Sequence, residues 1–138
     1  MAQILIFHQN SNYGTPSPAG FDYNDPTTSP VINNPYSDEY NVDSIVKLAL
    51  NRTMEYTAAY RTKHVMWTMG QDNRYAFADL WYKNMDKLIF EVNRKSSTHG
   101  VHFLYSSPDC YTKSKHEANL TWTTNSYDYL PLRILTQS

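Results

Sequence analysis

The segment Gly70-Gln71-Asp72-Asn73-Arg74-Tyr75 is the part of this chain best suited to chemistry. It follows a short apolar run, His64-Val65-Met66-Trp67-Thr68-Met69, whose length and glycine stop favour a strand. Gly70 permits a sharp exit. Asp72 then stands at the carboxyl end of a strand, where α/β folds collect their functional groups. Arg74 stands beside it. A carboxylate so placed can act as a general acid or base. It can also simply cap the helix that begins near Tyr75, and position alone favours the cap.

A second segment of the same kind is Ser106 to Tyr111, after an apolar run ending at Tyr105. Asp109 and Tyr111 can point into the same mouth and, with Arg74, touch a substrate there. The plainer reading is an ordinary turn, since Ser-Pro-Asp is good turn chemistry. The five histidines, His8, His64, His99, His102 and His116, form no HxH or HxxxH pair. Each therefore reads as a surface or satisfied core histidine, and no residue is assigned to a metal. A lone cysteine, Cys110, gives neither a disulfide framework nor a thiolate metal site. It reads as a small buried apolar side chain, or as an orphan whose partner lies outside this chain. No Gly-rich phosphate loop and no Gly-x-Ser-x-Gly elbow occurs.

Helices must position these segments. Residues 8–41 read as a long loop, punctuated by Pro16, Pro18, Gly20, Pro26, Pro30 and Pro35. A loop of that length carries function or wraps around something absent. A helix is expected from about Val42 to Tyr60, capped by Ser37 or Asp38. Its stripe is Val42, Ile45, Val46, Ala49, Leu50 and Thr53, continued by Tyr56 and Tyr60. A second helix is expected from Tyr75 to Asn93, burying Phe77, Leu80, Trp81, Leu88, Ile89 and Val92. Gly100 precedes a second expected strand, Val101 to Tyr105. Strand, crossover helix, strand is a βαβ unit with two parallel neighbours. Parallel sheets need cover on both faces, so the pattern predicts a βαβ slice, with a long N-terminal loop, of a larger α/β fold.

The chain has 138 residues, enough for one domain or part of one. Charged residues make up 18% and the net charge is −1, which leaves no strong field for nucleic acid or an anionic membrane. The apolar start, Ala2 to Phe7, is too short to span a bilayer and lacks a signal peptide's basic region and cleavage site. Aromatics reach 14%, which suits a core and equally suits sugar stacking. Two N-glycosylation sequons occur, at Asn51 and Asn119.

Several strings carry a family resemblance. They are Ser37-Asp38-Glu39-Tyr40-Asn41, Tyr60-Arg61-Thr62-Lys63-His64, Met66-Trp67-Thr68-Met69-Gly70-Gln71-Asp72 and Leu80 through Ile89. Val101 through Tyr111 and Ala118-Asn119-Leu120-Thr121-Trp122 continue them. In this order and spacing the chain resembles the N-terminal catalytic domain of glycoside hydrolase family 38, in its lysosomal α-mannosidase branch. The resemblance covers about residues 18–132 of one partial domain, 1–138, and leaves 133–138 as an unrelated tail.

The resemblance implies a partial seven-stranded β/α barrel. It implies a retaining α-mannosidase that removes terminal α-linked mannose from glycans with two carboxylates about 5–5.5 Å apart. It implies a zinc ion that holds hydroxyls of the mannose ring. Asp72 matches the family's acid/base carboxylate, so the cap reading loses its lead. The family usually has an aromatic residue where this chain has Asn73. Cys110 matches a cysteine bonded to one near the mature N-terminus, and Asn119 matches a glycosylation site. The nucleophile and zinc ligands match nothing in this chain, so a truncated copy, inactive unless an unknown chain completes it, is expected. A lysosomal or secretory setting is implied. The alternative is a non-catalytic carbohydrate-binding or interaction module.

Overall fold

The computed structural model describes residues 14–16, 20–124 and 126. The apolar start 2–7, His8 and the tail 133–138 lie outside them. In the described residues α1 spans Val42–Ala59, a 3₁₀ turn Arg74–Phe77, α2 Ala78–Arg94, α3 Ser96–His99 and α4 Pro108–Glu117.

The helical period of α1 buries Val42, Val46, Ala49 and Thr53 on one face. Neither Ser37 nor Asp38 caps it. Asn41 stands at the N-cap, and its carbonyl accepts from Ile45 N at 3.0 Å. The Asn41 side chain looks the other way. Its Nδ2 donates to the Pro30 carbonyl at 2.8 Å, and its Oδ1 accepts from Ile32 N at 2.9 Å. One residue thus starts the helix and ties down the preceding loop.

Helix α2 begins at Ala78 because residues 74–77 wind as a tighter 3₁₀ turn. That turn rotates the start of the expected apolar face out of the core. Phe77 is 73% exposed and Leu80 42% exposed. The face actually buried is Trp81, Asn84, Met85, Leu88, Glu91 and Val92. Its polar members are satisfied, as buried polar groups must be. Asn84 Nδ2 donates to the Leu80 carbonyl at 2.8 Å, and Arg94 clasps Glu91 Oε2 at 2.9 and 2.7 Å.

The described part of the long loop packs onto these helices. Phe21 and Val31 join Val42, Val46, Ala49, Leu88 and Val92 in one core cluster. Tyr23 joins Trp81 and Met85 in a second. Helix α2 holds the loop by its backbone. Asn84 Oδ1 accepts from Val31 N at 2.7 Å and Lys87 Nζ donates to the Val31 carbonyl at 2.9 Å.

No β-strand forms among the described residues, so the expected α/β slice of a seven-stranded β/α barrel is corrected to a helical arrangement. Residues 64–69 and 101–105, the two expected strands, turn alternate side chains inward. Trp67 and Met69 pack on the core, as do Val101 and Phe103. Pairing is what fails. Neighbouring strands share a ladder of backbone hydrogen bonds, and the described residues of these two segments form none. Side chains supply some of the backbone partners that a sheet would supply. Asn93 holds both polar groups of Phe103 at 2.8 Å, and His99 Nδ1 accepts from Val101 N at 3.1 Å.

The turn expected at Ser106–Asp109 is a helix start. Ser107 Oγ accepts from Cys110 N at 3.2 Å, and Pro108 occupies the first helical turn, where its missing N–H is no loss.

Candidate functional site

Asp72 is exposed on a tight turn in which Arg74 N donates to the Gln71 carbonyl at 3.2 Å. Asn73, not Asp72, holds the cap position of the 3₁₀ turn. Two neighbours shape this turn. Gly70 adopts φ +132°, and a Cβ there would meet Tyr75 Cε2 at 2.6 Å. The missing side chain therefore lets the Tyr75 ring fold back, and its hydroxyl donates to the Met69 carbonyl at 2.6 Å. Asn73 sits in the left-handed region at φ 59°, a conformation asparagine tolerates better than an aromatic residue does.

Arg74 turns away from the Asp72 turn. Its guanidinium pairs with Asp22 Oδ2 at 3.2 Å, joining the turn to the long loop. Asp109 is exposed in the first turn of α4. Tyr111, two residues further on, is buried, and burial, with Tyr60 adding to it, pushes its hydroxyl up to about 12. Tyr111 lines the large cavity, whereas Asp72, Arg74 and Asp109 do not.

Sequence reasoning missed Lys115. It is 2% exposed and lies over two tyrosine rings, 5.2 Å from Tyr60 and 5.0 Å from Tyr111. Its Nζ donates to Thr62 Oγ1 and to the His64 carbonyl. Burial holds its ammonium below the ordinary lysine range. The available signal was the spacing of Tyr111 and Lys115, four residues apart and stacked on one helix face. Reading residues 106–109 as a turn hid it.

The remaining expectations divide. Cys110 is exposed and carries a free thiol, which removes the buried apolar reading. His99 is satisfied on both ring nitrogens. Nδ1 accepts from Val101 N, so Nε2 carries the proton and donates to the Val92 carbonyl at 3.1 Å. No group of three or more His, Cys, Asp or Glu side chains among the described residues could hold a metal ion. Asn51 is exposed in mid-helix, with Thr53 of its sequon buried and bonded to the Ala49 carbonyl at 2.9 Å. Asn119 is exposed just past α4 at φ 54°. No described helix is long and apolar enough to cross a membrane.

Residues 2–131 match the N-terminal domain of the glycosyl hydrolases family 38. The chain belongs to that family. It is 43% identical over 106 residues to the lysosomal α-mannosidase of Mus musculus, covering 76% of this chain and 10% of that protein. An α-mannosidase of Canavalia ensiformis is 36% identical over 130 residues, 94% of this chain and 13% of that protein. A probable α-mannosidase of Arabidopsis thaliana is 39% identical over 131 residues, 94% of this chain and 12% of that protein. The chain thus spans about a tenth of the length of the curated relatives it matches.

Proposed function

We propose that this chain forms part of the catalytic domain of a retaining α-mannosidase, with Asp72 as its general acid/base. The observation that carries the reading is the exposed Asp72 turn, clasped by Gly70 and Tyr75, inside the region that matches family 38. Residues 1–138 then belong to one partial domain, with 133–138 as a divergent tail.

In this role Asp72 first protonates the glycosidic oxygen as the bond to mannose breaks. A second carboxylate, on a segment other than this one, takes the sugar covalently. Asp72 then removes a proton from the water that releases mannose. Arg74 serves as a positioning residue, because its ion pair with Asp22 braces the turn that carries Asp72. Asp109 and Tyr111 remain candidates for substrate contact from the α4 side. The family resemblance implies zinc on the mannose hydroxyls. The described residues do not fit a metal site, so no step here passes through it. The relatives named as lysosomal support a lysosomal or secretory setting, in which Asn119 is the better-placed glycan acceptor.

The test grafts residues 20–124 in place of the matching segment of the mouse lysosomal α-mannosidase. The chimera is expected to hydrolyse a chromogenic α-mannoside. Asp72→Asn in the graft should lower kcat by about 10²–10⁴-fold. Asp79→Asn, an exposed change in the first turn of α2, should not. A folded, active chimera that Asp72→Asn leaves undiminished would remove Asp72 from the chemistry.

A further inference from the structure

We infer that residues 22–24 clamp the turn carrying Asp72 at two points, and that Asn24 is a positioning residue for proton transfer by that carboxylate. The inference rests on the reading of Asp72 as the acid/base. It gives a role in the reaction to a stretch of the long loop far from Asp72 in sequence.

The clamp is built before it reaches the turn. Phe21 and Tyr23 are buried, one in each core cluster, so the loop is anchored on both sides of Asp22. The loop then winds on itself. Asp25 N donates to the Asp22 carbonyl at 3.0 Å, and Thr28 N to the Asp25 carbonyl at 2.9 Å. Asp25 Oδ1 accepts from Thr27 N at 2.8 Å and from the Thr27 hydroxyl at 2.7 Å. Asp side chains that bond the backbone two residues on hold a loop in shape without a helix or a sheet.

Asp22 makes the first contact. Its Oδ2 pairs with the Arg74 guanidinium at 3.2 Å, and its Oδ1 accepts from Asn24 N at 3.1 Å. A single carboxylate thus ties the second contact to the first. Asn24 makes that second contact through a relay of rings. Its Oδ1 accepts from Trp81 Nε1. Trp81 is wholly buried, and the Tyr75 ring packs on it with centroids 5.2 Å apart at 33°. Tyr75 in turn donates to the Met69 carbonyl at 2.6 Å and fills the space where a side chain on Gly70 would be. The turn is therefore held on both flanks of Asp72, at Met69 and at Arg74, by one short stretch of loop.

Acid catalysis needs such control. The acid must stand within hydrogen-bond reach of the oxygen it protonates, and about 1 Å of misplacement can cost about 10²-fold. Asp72 stands on a turn, not in a helix, so the elements on either side fix its place. Within the relay the specific requirement is the Asn24 oxygen. The indole N–H of a buried tryptophan needs an acceptor, and leaving it without one is costly. Alanine at position 24 removes that acceptor and frees the indole on which Tyr75 rests. Aspartate keeps an oxygen at the same reach.

The test uses the mannosidase carrying residues 20–124 of this chain, with two substrates. The leaving group of α-linked mannobiose needs a proton, whereas that of a dinitrophenyl α-mannoside departs without one. Asn24→Ala should lower kcat/KM about tenfold on mannobiose and by less than about twofold on the dinitrophenyl substrate. Asn24→Asp should restore the parent value on mannobiose. Trp81→Phe deletes the same bond from the other side, so adding Asn24→Ala to it should cost nothing further. Equal losses on the two substrates would overturn the inference, because a loosened fold does not discriminate between leaving groups. So would an unchanged kcat/KM on mannobiose, or failure of Asn24→Asp to restore it. The role of Asp72 itself is read separately, by Asp72→Asn. If that role falls, the clamp is judged on the 138-residue chain by amide exchange at Arg74, whose N–H closes the turn on the Gln71 carbonyl. Asn24→Ala and Asp22→Ala should each speed that exchange, and no change in either would overturn the clamp.

Discussion

Asn93 grips Phe103 at both of its backbone polar groups. Nδ2 donates to the Phe103 carbonyl and Oδ1 accepts its N–H, each at 2.8 Å. One side-chain amide on α2 thereby reproduces the pair of bonds that a neighbouring strand would make. It holds the segment after Gly100 against the helix, with Phe103 turned toward Trp67 at 4.9 Å between ring centroids.

Replacing Asn93 tests that substitution of side chain for sheet. Asn93→Leu removes both bonds and leaves a half-buried N–H and carbonyl without them. The expected loss is about 2 kcal/mol, seen as a lower urea midpoint at unchanged slope. Amide exchange at Phe103 should accelerate. Asn93→Asp keeps the acceptor but sets a carboxylate oxygen against the Phe103 carbonyl. Its folded-state pKa is therefore raised, and its deficit should shrink as pH falls through the carboxylate range, where the protonated group donates again.

What the sequence disclosed follows the range of the physics involved. The periods of α1 and α2 were legible because burial on a helix repeats locally. Val42, Val46 and Ala49, and likewise Trp81, Leu88 and Val92, lie where that period puts them. Trp67 and Met69, and likewise Val101 and Phe103, turn inward at alternate positions. Alternation says nothing about a partner, however, and strand pairing is a long-range property. Ser107-Pro108 is ambiguous in isolation, because the same residues begin turns and helices. Asp72 was singled out through Gly70, whose left-handed backbone favours glycine. Lys115 was not, since its burial depends on Tyr60, Thr62 and His64, more than fifty residues earlier.

Lys115 gives a second measurable outcome. Its ammonium is buried against rings and neutral acceptors, and burial wins, holding its folded pKa below the unfolded value. The folded state then binds fewer protons than the unfolded one, so stability should rise with pH from that lowered value up to about pH 10. Tyr111 works in the opposite sense. Its folded value near 12 exceeds the unfolded one, so its contribution is lost only above about pH 10. Lys115→Met should flatten the rise below pH 10. It should not orphan the acceptors, because Thr62 Oγ1 and the His64 carbonyl bond one another at 3.2 Å. The variant is expected to be neutral to about 1 kcal/mol more stable at pH 7, checked by thermal denaturation across pH.

Gly70→Ala connects backbone strain to the candidate acid. At φ +132° an alanine is strained wherever its Cβ goes, and here it goes to 2.6 Å from Tyr75 Cε2, well inside contact. The ring must swing out, which breaks its bond to the Met69 carbonyl and loosens its packing on Trp81 at 5.2 Å. Backbone strain and the lost bond together should cost about 2–4 kcal/mol, read as a lower urea midpoint. In the grafted mannosidase the same change should lower kcat without touching any reacting atom, because Asp72 lies on the turn that Tyr75 clasps. Tyr75→Phe separates the two causes. It removes the bond but leaves Gly70 unstrained, so it should recover most of the stability. Equal stability for Gly70→Ala and the parent chain would mean that the turn carrying Asp72 does not depend on the Gly70–Tyr75 contact.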